Sequence, residues 1–242
     1  MLLAANWKMN LTFTEAKALA DEFAKMADDA KSDVIVFPPA IYSHIMQQAS
    51  LNGALEWGGQ SSHPRASGAH TGDVSAAMFA SMGASWMLAG HSERRQNHGE
   101  TDEFIAQQLH SALKEGLRPI LCVGETDTQR QAGQAVTIVC GQIKAALAEL
   151  PAEHNIIIAY EPVWAIGTGL VAKPDDITDM HHAIFTFMKD ELKIPYDPQI
   201  LYGGSVNADN AKDILHLPHV GGALVGGASL KSETFQAIID AA

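Results

Sequence analysis

The sequence predicts an α/β fold in which eight short parallel strands alternate with helices and close into a single-domain (β/α)8 barrel. Apolar runs of strand length recur along all 242 residues, and each is followed by a stretch with helical spacing. The runs are continuously apolar instead of alternating, as strands covered on both faces require. An open doubly wound sheet shows the same alternation. Eight repeats in 242 residues, with no low-complexity linker or shift in composition, favour a closed barrel in one domain.

Taken in order, the strands are expected at Leu2–Ala5, Val34–Phe37, Leu55–Trp57, Trp86–Ala89, Pro119–Val123, Ile156–Tyr160, Gln199–Tyr202 and Ala223–Val225. The helices between them are expected at Thr14–Asp29, Ile41–Leu51, Val74–Met82, Thr101–Lys114, Gln131–Leu150, Pro174–Leu192, Ala208–Leu215 and Ser232–Ala241. Asp73 and Asn207 are placed to act as N-caps, Pro174 suits a first helical turn, and Gly53, Gly83 and Gly116 punctuate helix ends.

Composition excludes several function classes. Sixteen Lys and Arg against twenty-eight Asp and Glu give a formal charge of −12, a poor surface for nucleic acid or anionic lipid. A small phosphorylated substrate remains compatible, because backbone N–H groups and one lysine reverse the potential inside a cleft. Cys122 and Cys140 have no CxxC or metal-ligand spacing, so neither a disulfide framework nor a metal site is expected. The short apolar start Met1–Ala5 and the absence of a membrane-length apolar run suggest a cytoplasmic protein.

In a β/α barrel the chemistry is built where strands end and the following loops begin. Glu161 directly follows Ile156–Tyr160, so its carboxylate leaves a buried strand at the barrel mouth, where partial burial would raise its pKa and strengthen it as a base. A carboxylate that merely caps a loop would look the same. His91 follows Leu88-Ala89-Gly90 and opens a helical segment, whose N-terminus would disfavour protonation and leave a neutral imidazole that donates a hydrogen bond. It is one of eleven histidines, and position alone distinguishes it. Lys8 is a cation at the mouth of the first strand, suited to a phosphate or a developing oxyanion, although a solvated lysine reads identically. Gly203-Gly204-Ser205 and Gly226-Gly227 follow two successive strands, where absent side chains let N–H groups approach an anion. Residues 162–172 are apolar where a surface loop is normally polar, as expected of a lid that closes over the site or of a loop packed on the rim.

Five segments together resemble the triosephosphate isomerase family: Asn6-Trp7-Lys8-Met9-Asn10, Gly90-His91-Ser92-Glu93-Arg94-Arg95, Ala159–Gly169 around Glu161, Tyr202-Gly203-Gly204-Ser205-Val206 and Leu224–Leu230. They span the chain in the family's order, and the eleven-residue match around Glu161 is the most specific. The resemblance implies a TIM barrel that interconverts dihydroxyacetone phosphate and D-glyceraldehyde 3-phosphate through an enediolate, with no metal or cofactor. It implies Glu161 as base, His91, Lys8 and Asn6 as stabilisers of the carbonyl oxygen, and Glu93 as organiser of Lys8. It further implies phosphate held by backbone N–H groups at Gly167, Ser205, Gly226 and Gly227. The loop of about residues 61–75 resembles the family's dimerisation loop, implying a homodimer with Thr71 beside Lys8 of the partner subunit. Two departures stand out. Gly169 is followed by Leu170-Val171-Ala172 where the family has a Lys-Thr-Ala type hinge, and Asp127-Thr128-Gln129-Arg130 lacks acidic residues common there, leaving the pairing of Arg130 open. Another phosphosugar barrel, an epimerase or aldolase-like lyase, would share the phosphate site but not Glu161 with His91 and Lys8. A catalytically silent phosphate-binding scaffold is the remaining alternative.

Overall fold

Successive residues of a strand face opposite ways, so a strand is apolar throughout only where both of its faces are covered. That is the situation here. Leu2, Ala4, Ile35, Phe37, Ile120 and Ala159 belong to one apolar cluster filling the space inside the sheet. Their neighbours Leu3, Ala5, Val34, Val36, Leu121 and Ile158 belong to a larger cluster between sheet and helices.

A computed structural model of the chain describes residues 1–166 and 172–242. The strands are β1 (Leu2–Asn6), β2 (Asp33–Phe37), β3 (Glu56–Gly59), β4 (Trp86–Ala89), β5 (Arg118–Val123), β6 (Ile157–Tyr160), β7 (Ile200–Tyr202) and β8 (Gly222–Val225). All pair in parallel in sequence order, and β1 pairs with both β2 and β8, closing the barrel as expected. Among the described residues the helices are α1 (Phe13–Asp29), α2 (Ser43–Ala49), α3 (Ala76–Ser81), α4 (Ser92–His98), α5 (Asp102–Lys114), α6 (Asp127–Gln131), α7 (Ala135–Leu147), α8 (Pro174–Thr186), α9 (Ala211–Leu215) and α10 (Ser232–Asp240). None is long and apolar enough to cross a membrane.

The differences from expectation have local causes. β3 runs on through Gly58 and Gly59 because only glycine fits: a Cβ on Gly58 would lie 2.3 Å from the Trp86 carbonyl oxygen, and one on Gly59 would lie 2.7 Å from the Phe79 ring. The third helix starts later than expected. Val74 is still tied to the preceding loop by the His63 N–H, and Ser75, not Asp73, caps the helix by accepting the Met78 N–H at 3.2 Å. Asn207 caps an earlier turn through the N–H groups of Asp209 and Asn210, so α9 begins only at Ala211. The helix expected over Gln131–Leu150 is shorter, Ala135–Leu147, and a separate short helix, Asp127–Gln131, precedes it. Thr126 and Gln129 form a capping box that starts α6, and Gly133 breaks the path at φ +71° before α7.

Candidate active site

Asn6 is the last residue of β1, and Lys8 lies two further on, with a left-handed backbone at φ +51°. That conformation is costly for a lysine and persists only where surroundings enforce it. Two hydrogen bonds do so: the Lys8 N–H donates to Asn6 Oδ1 at 3.0 Å, and Gln60 Nε2 donates to the Lys8 carbonyl at 2.9 Å. The side chain crosses the mouth beside Gly226, where a Cβ would meet Lys8 Cε at 3.2 Å. Its ammonium pairs with Glu93 Oε1 at 2.5 Å. Glu93 sits in the first turn of α4 and so holds Lys8 at the rim.

His91 is the N-cap of α4, and its Nδ1 accepts the Glu93 N–H at 3.2 Å. In the neutral ring the hydrogen therefore resides on Nε2, which faces Glu161 Oε1 at 3.0 Å. Glu161, 1% exposed, also accepts the Ser92 N–H through Oε2 at 2.8 Å. The electrostatics differ from the sequence expectation. Burial pushes Glu161 upward, but the charge and hydrogen bond of His91, the Ser92 N–H and the Lys8 charge outweigh it and hold the carboxyl below its ordinary value. Burial likewise works against protonated His91, yet the facing Glu161 carboxylate, by charge and hydrogen bond, raises it above a free imidazole. The helix N-terminus thus selects which nitrogen carries the hydrogen, while Glu161 dominates the affinity for a second proton. His181 shows the contrast: fully buried with no carboxylate beside it, it is held near a pKa of about 4 by desolvation.

One cavity of about 660 Å³ is lined by Asn6, Lys8, His91, Glu93, Glu161, Ser205, Gly226 and Gly227. Eight of the nine candidate residues therefore meet at the C-terminal ends of the strands, and the ninth, Gly167, lies outside the described residues. Gly226 and Gly227 open a short 3₁₀ turn after β8, Gly227–Leu230, whose first N–H groups have no partner within the turn. The wall also contains the apolar Val163, Ile166 and Leu224, and a concave, partly apolar cavity of this size suits a small sugar phosphate better than an extended polyanion.

Against this geometry, the comparisons with known proteins converge. The family model described as Triosephosphate isomerase matches residues 1–242. The chain belongs to the triosephosphate isomerase family. Curated relatives named triosephosphate isomerase include one from Caulobacter vibrioides, 48% identical over 99% of this chain and 96% of that protein. Another, from Hahella chejuensis, is 43% identical over 100% of this chain and 98% of that one. The crystal structure of triosephosphate isomerase from Bartonella henselae superposes with a TM-score of 0.90 at 34% identity, covering 99% of this chain and 98% of that chain.

Of the two departures from the family's pattern, the structure accounts for one, and the other falls outside the described residues. Arg130 is held after all: its guanidinium pairs with Asp176 at 2.6 Å, lies 3.5 Å from Glu125, and stacks over Trp164 at 4.5 Å. The nearer partner comes from α8, with Glu125 of the local segment farther off, which sequence spacing alone does not show. Leu170 and Val171 lie outside the described residues. Sequence reading missed the roles of Gln60 under Lys8 and of the Ser92 N–H on Glu161. Backbone donors carry no side-chain signature, and a lone glutamine in a loop is not distinctive.

Proposed function

We infer that this chain catalyses the interconversion of dihydroxyacetone phosphate and D-glyceraldehyde 3-phosphate, a step of glycolysis and gluconeogenesis. The supporting observation is the meeting of Glu161, His91 and Lys8 in one cavity with the Gly226–Gly227 backbone. With family membership over the whole chain, this leaves a silent scaffold disfavoured.

In our reading Glu161 removes the proton from C1 of dihydroxyacetone phosphate and returns one to C2. The His91 Nε2–H donates to the carbonyl oxygen as negative charge builds on it, with Asn6 and the Lys8 ammonium beside it. In the ligand-free arrangement Glu161 is occupied by His91 and Ser92. Turning toward substrate requires releasing both donors while burial remains, which raises its basicity at the moment it is needed. Phosphate is assigned to the N–H groups of Ser205, Gly226, Gly227 and Gly167, and residues 162–172 to a lid that excludes water from the enediolate. The described start of that lid is anchored: Trp164 Nε1 donates to Glu125 at 2.8 Å. No metal or cofactor enters this scheme. Turnover of D-glyceraldehyde 3-phosphate by the purified chain tests it, and no conversion above the buffer rate would refute it.

The same reading assigns a homodimer built on the loop of about residues 61–75. Met9 is 94% and Ile41 82% exposed, apolar side chains that a second copy would cover. Sedimentation should give twice the 25.9 kDa of one chain; a monomer at micromolar concentration would contradict the assignment. Free Cys122 and Cys140 are consistent with the cytoplasmic location we assign.

A further inference from the structure

The end of β5 is completed by side chains instead of a strand. β4 follows β5 only as far as Ala89 opposite Leu121, then turns away at Gly90. The backbone of β5 continues toward Glu161, and its polar groups on the vacated side need partners. Arg95 supplies one, donating through Nε to the Gly90 carbonyl at 2.8 Å and through Nη2 to the Cys122 carbonyl at 3.3 Å. Gln142, on α7, supplies two: its Oε1 accepts the Gly124 N–H at 2.8 Å and its Nε2 donates to the Gly124 carbonyl at 3.1 Å. One side-chain amide here supplies both the acceptor and the donor that a neighbouring strand would otherwise provide.

Gly124 in turn supports the backbone of Glu161. A Cβ on Gly124 would fall 1.8 Å from the Glu161 carbonyl oxygen, and the Glu161 N–H donates to Val123 at 2.7 Å. The peptide that carries the carboxylate therefore rests on Val123–Gly124, and Gly124 is gripped by Gln142. A cavity of about 170 Å³ has Gln142, Gly124 and Glu161 in its wall and adjoins the main one, sharing Ser92, Gln96, Glu161 and Val163 with it, so the segment has room to shift once the amide is gone.

We propose that Gln142 is a positioning residue: its two-bond clasp on Gly124 fixes the backbone from which Glu161 presents its carboxylate. The proposal rests on the isomerase reading of the site. Gln142 does not line the cavity that holds Lys8, Gly226 and Gly227, so its loss should alter the proton-transfer step and spare phosphate binding. A displacement near 1 Å of a reacting group costs on the order of 100-fold in rate.

The test compares wild type, Gln142→Leu and Gln142→Glu on D-glyceraldehyde 3-phosphate across pH, with inorganic phosphate as competitive inhibitor and thermal melting to count folded protein. Ionised glutamate keeps the acceptor for the Gly124 N–H and loses the donor, so it preserves one of the two bonds. We expect Gln142→Leu to lose about 10- to 100-fold in kcat, with KM and the phosphate inhibition constant nearly unchanged, and Gln142→Glu to fall between it and wild type. The acid limb of kcat/KM should move to higher pH in Gln142→Leu, because a displaced Glu161 loses the donors that hold its pKa down. A merely structural role would lower the melting temperature without moving that limb. Wild-type kcat and pH limb in folded Gln142→Leu would overturn the proposal, as would a loss matched by an equal weakening of phosphate. If Gln142→Leu does not fold, Gln142→Glu decides: unchanged kcat and pH limb overturn it, a reduced kcat with a raised limb supports it. An inactive wild type overturns the isomerase reading and this inference with it, whereas an active wild type with indifferent Gln142 variants overturns the inference alone.

Discussion

Glu161→Gln is expected to lower kcat on D-glyceraldehyde 3-phosphate by about 10²–10⁴-fold, the usual contribution of a general base, with KM changed far less. Glutamine matches the carboxylate in shape and can still accept the Ser92 N–H that Glu161 holds at 2.8 Å, so the fold and the cavity should persist. What is removed is the acceptor for a carbon-bound proton. Equal rates in the two proteins would end the assignment of Glu161 as base. The pH dependence of stability gives an independent readout. The folded-state pKa of Glu161 is depressed, so its contribution to stability is present above the unfolded carboxyl pKa and is lost as pH falls through the folded value. The raised pKa of His91 works the other way, adding stability below the unfolded imidazole pKa that is lost as pH rises through the folded value. Wild-type melting temperature should therefore fall more steeply than that of Glu161→Gln on acidification below the ordinary carboxylate range. Parallel melting profiles would mean that the pairing seen between His91 and Glu161 contributes nothing in solution.

The barrel itself was legible because its cause is local: strands buried on both faces must be apolar in unbroken runs, and eight such runs are plain in the sequence. The candidate site was legible for a related reason, since strand ends locate the rim, and Lys8, His91 and Glu161 each stand just past one. What was not legible depends on groups far apart in the chain. The pKa of Glu161 was expected to rise from burial alone; its sign is reversed by His91, seventy residues earlier, and by a backbone N–H that no residue type announces. Arg130 found its nearer partner on α8, and Gly124 found its own on α7, eighteen residues away through Gln142. The split between α6 and α7 was different, for Thr126, Gln129 and Gly133 carried a readable capping box and breaker.

Lys8→Met should lower kcat/KM by about 10²–10³-fold, the range found when one preorganised donor to a developing negative charge is removed. Methionine keeps the length and much of the volume, so packing beside Gly226 survives while the charge is lost. Two causes for such a loss must be separated. Lys8 acts on the substrate in our reading, but it also neutralises Glu93, 2.5 Å away, and an unpaired carboxylate at the mouth would repel a phosphorylated substrate. The double variant Lys8→Met/Glu93→Gln separates them, because it removes the stranded charge without restoring the cation. If Lys8 stabilises the reaction's own negative charge, the double variant stays as slow as Lys8→Met and only its KM improves. Recovery of kcat to the wild-type level would instead mean that Lys8 merely keeps Glu93 from repelling substrate. Lys8→Arg should rescue little despite its charge: the planar guanidinium is wider than an ammonium and offers its donors in a fixed fork, so it cannot put a compact charge where the Lys8 ammonium meets Glu93 Oε1. A nearly active Lys8→Arg enzyme would show that the cation acts at long range through the field of the cleft, and that its close placement by the strained backbone at φ +51° is not what catalysis requires.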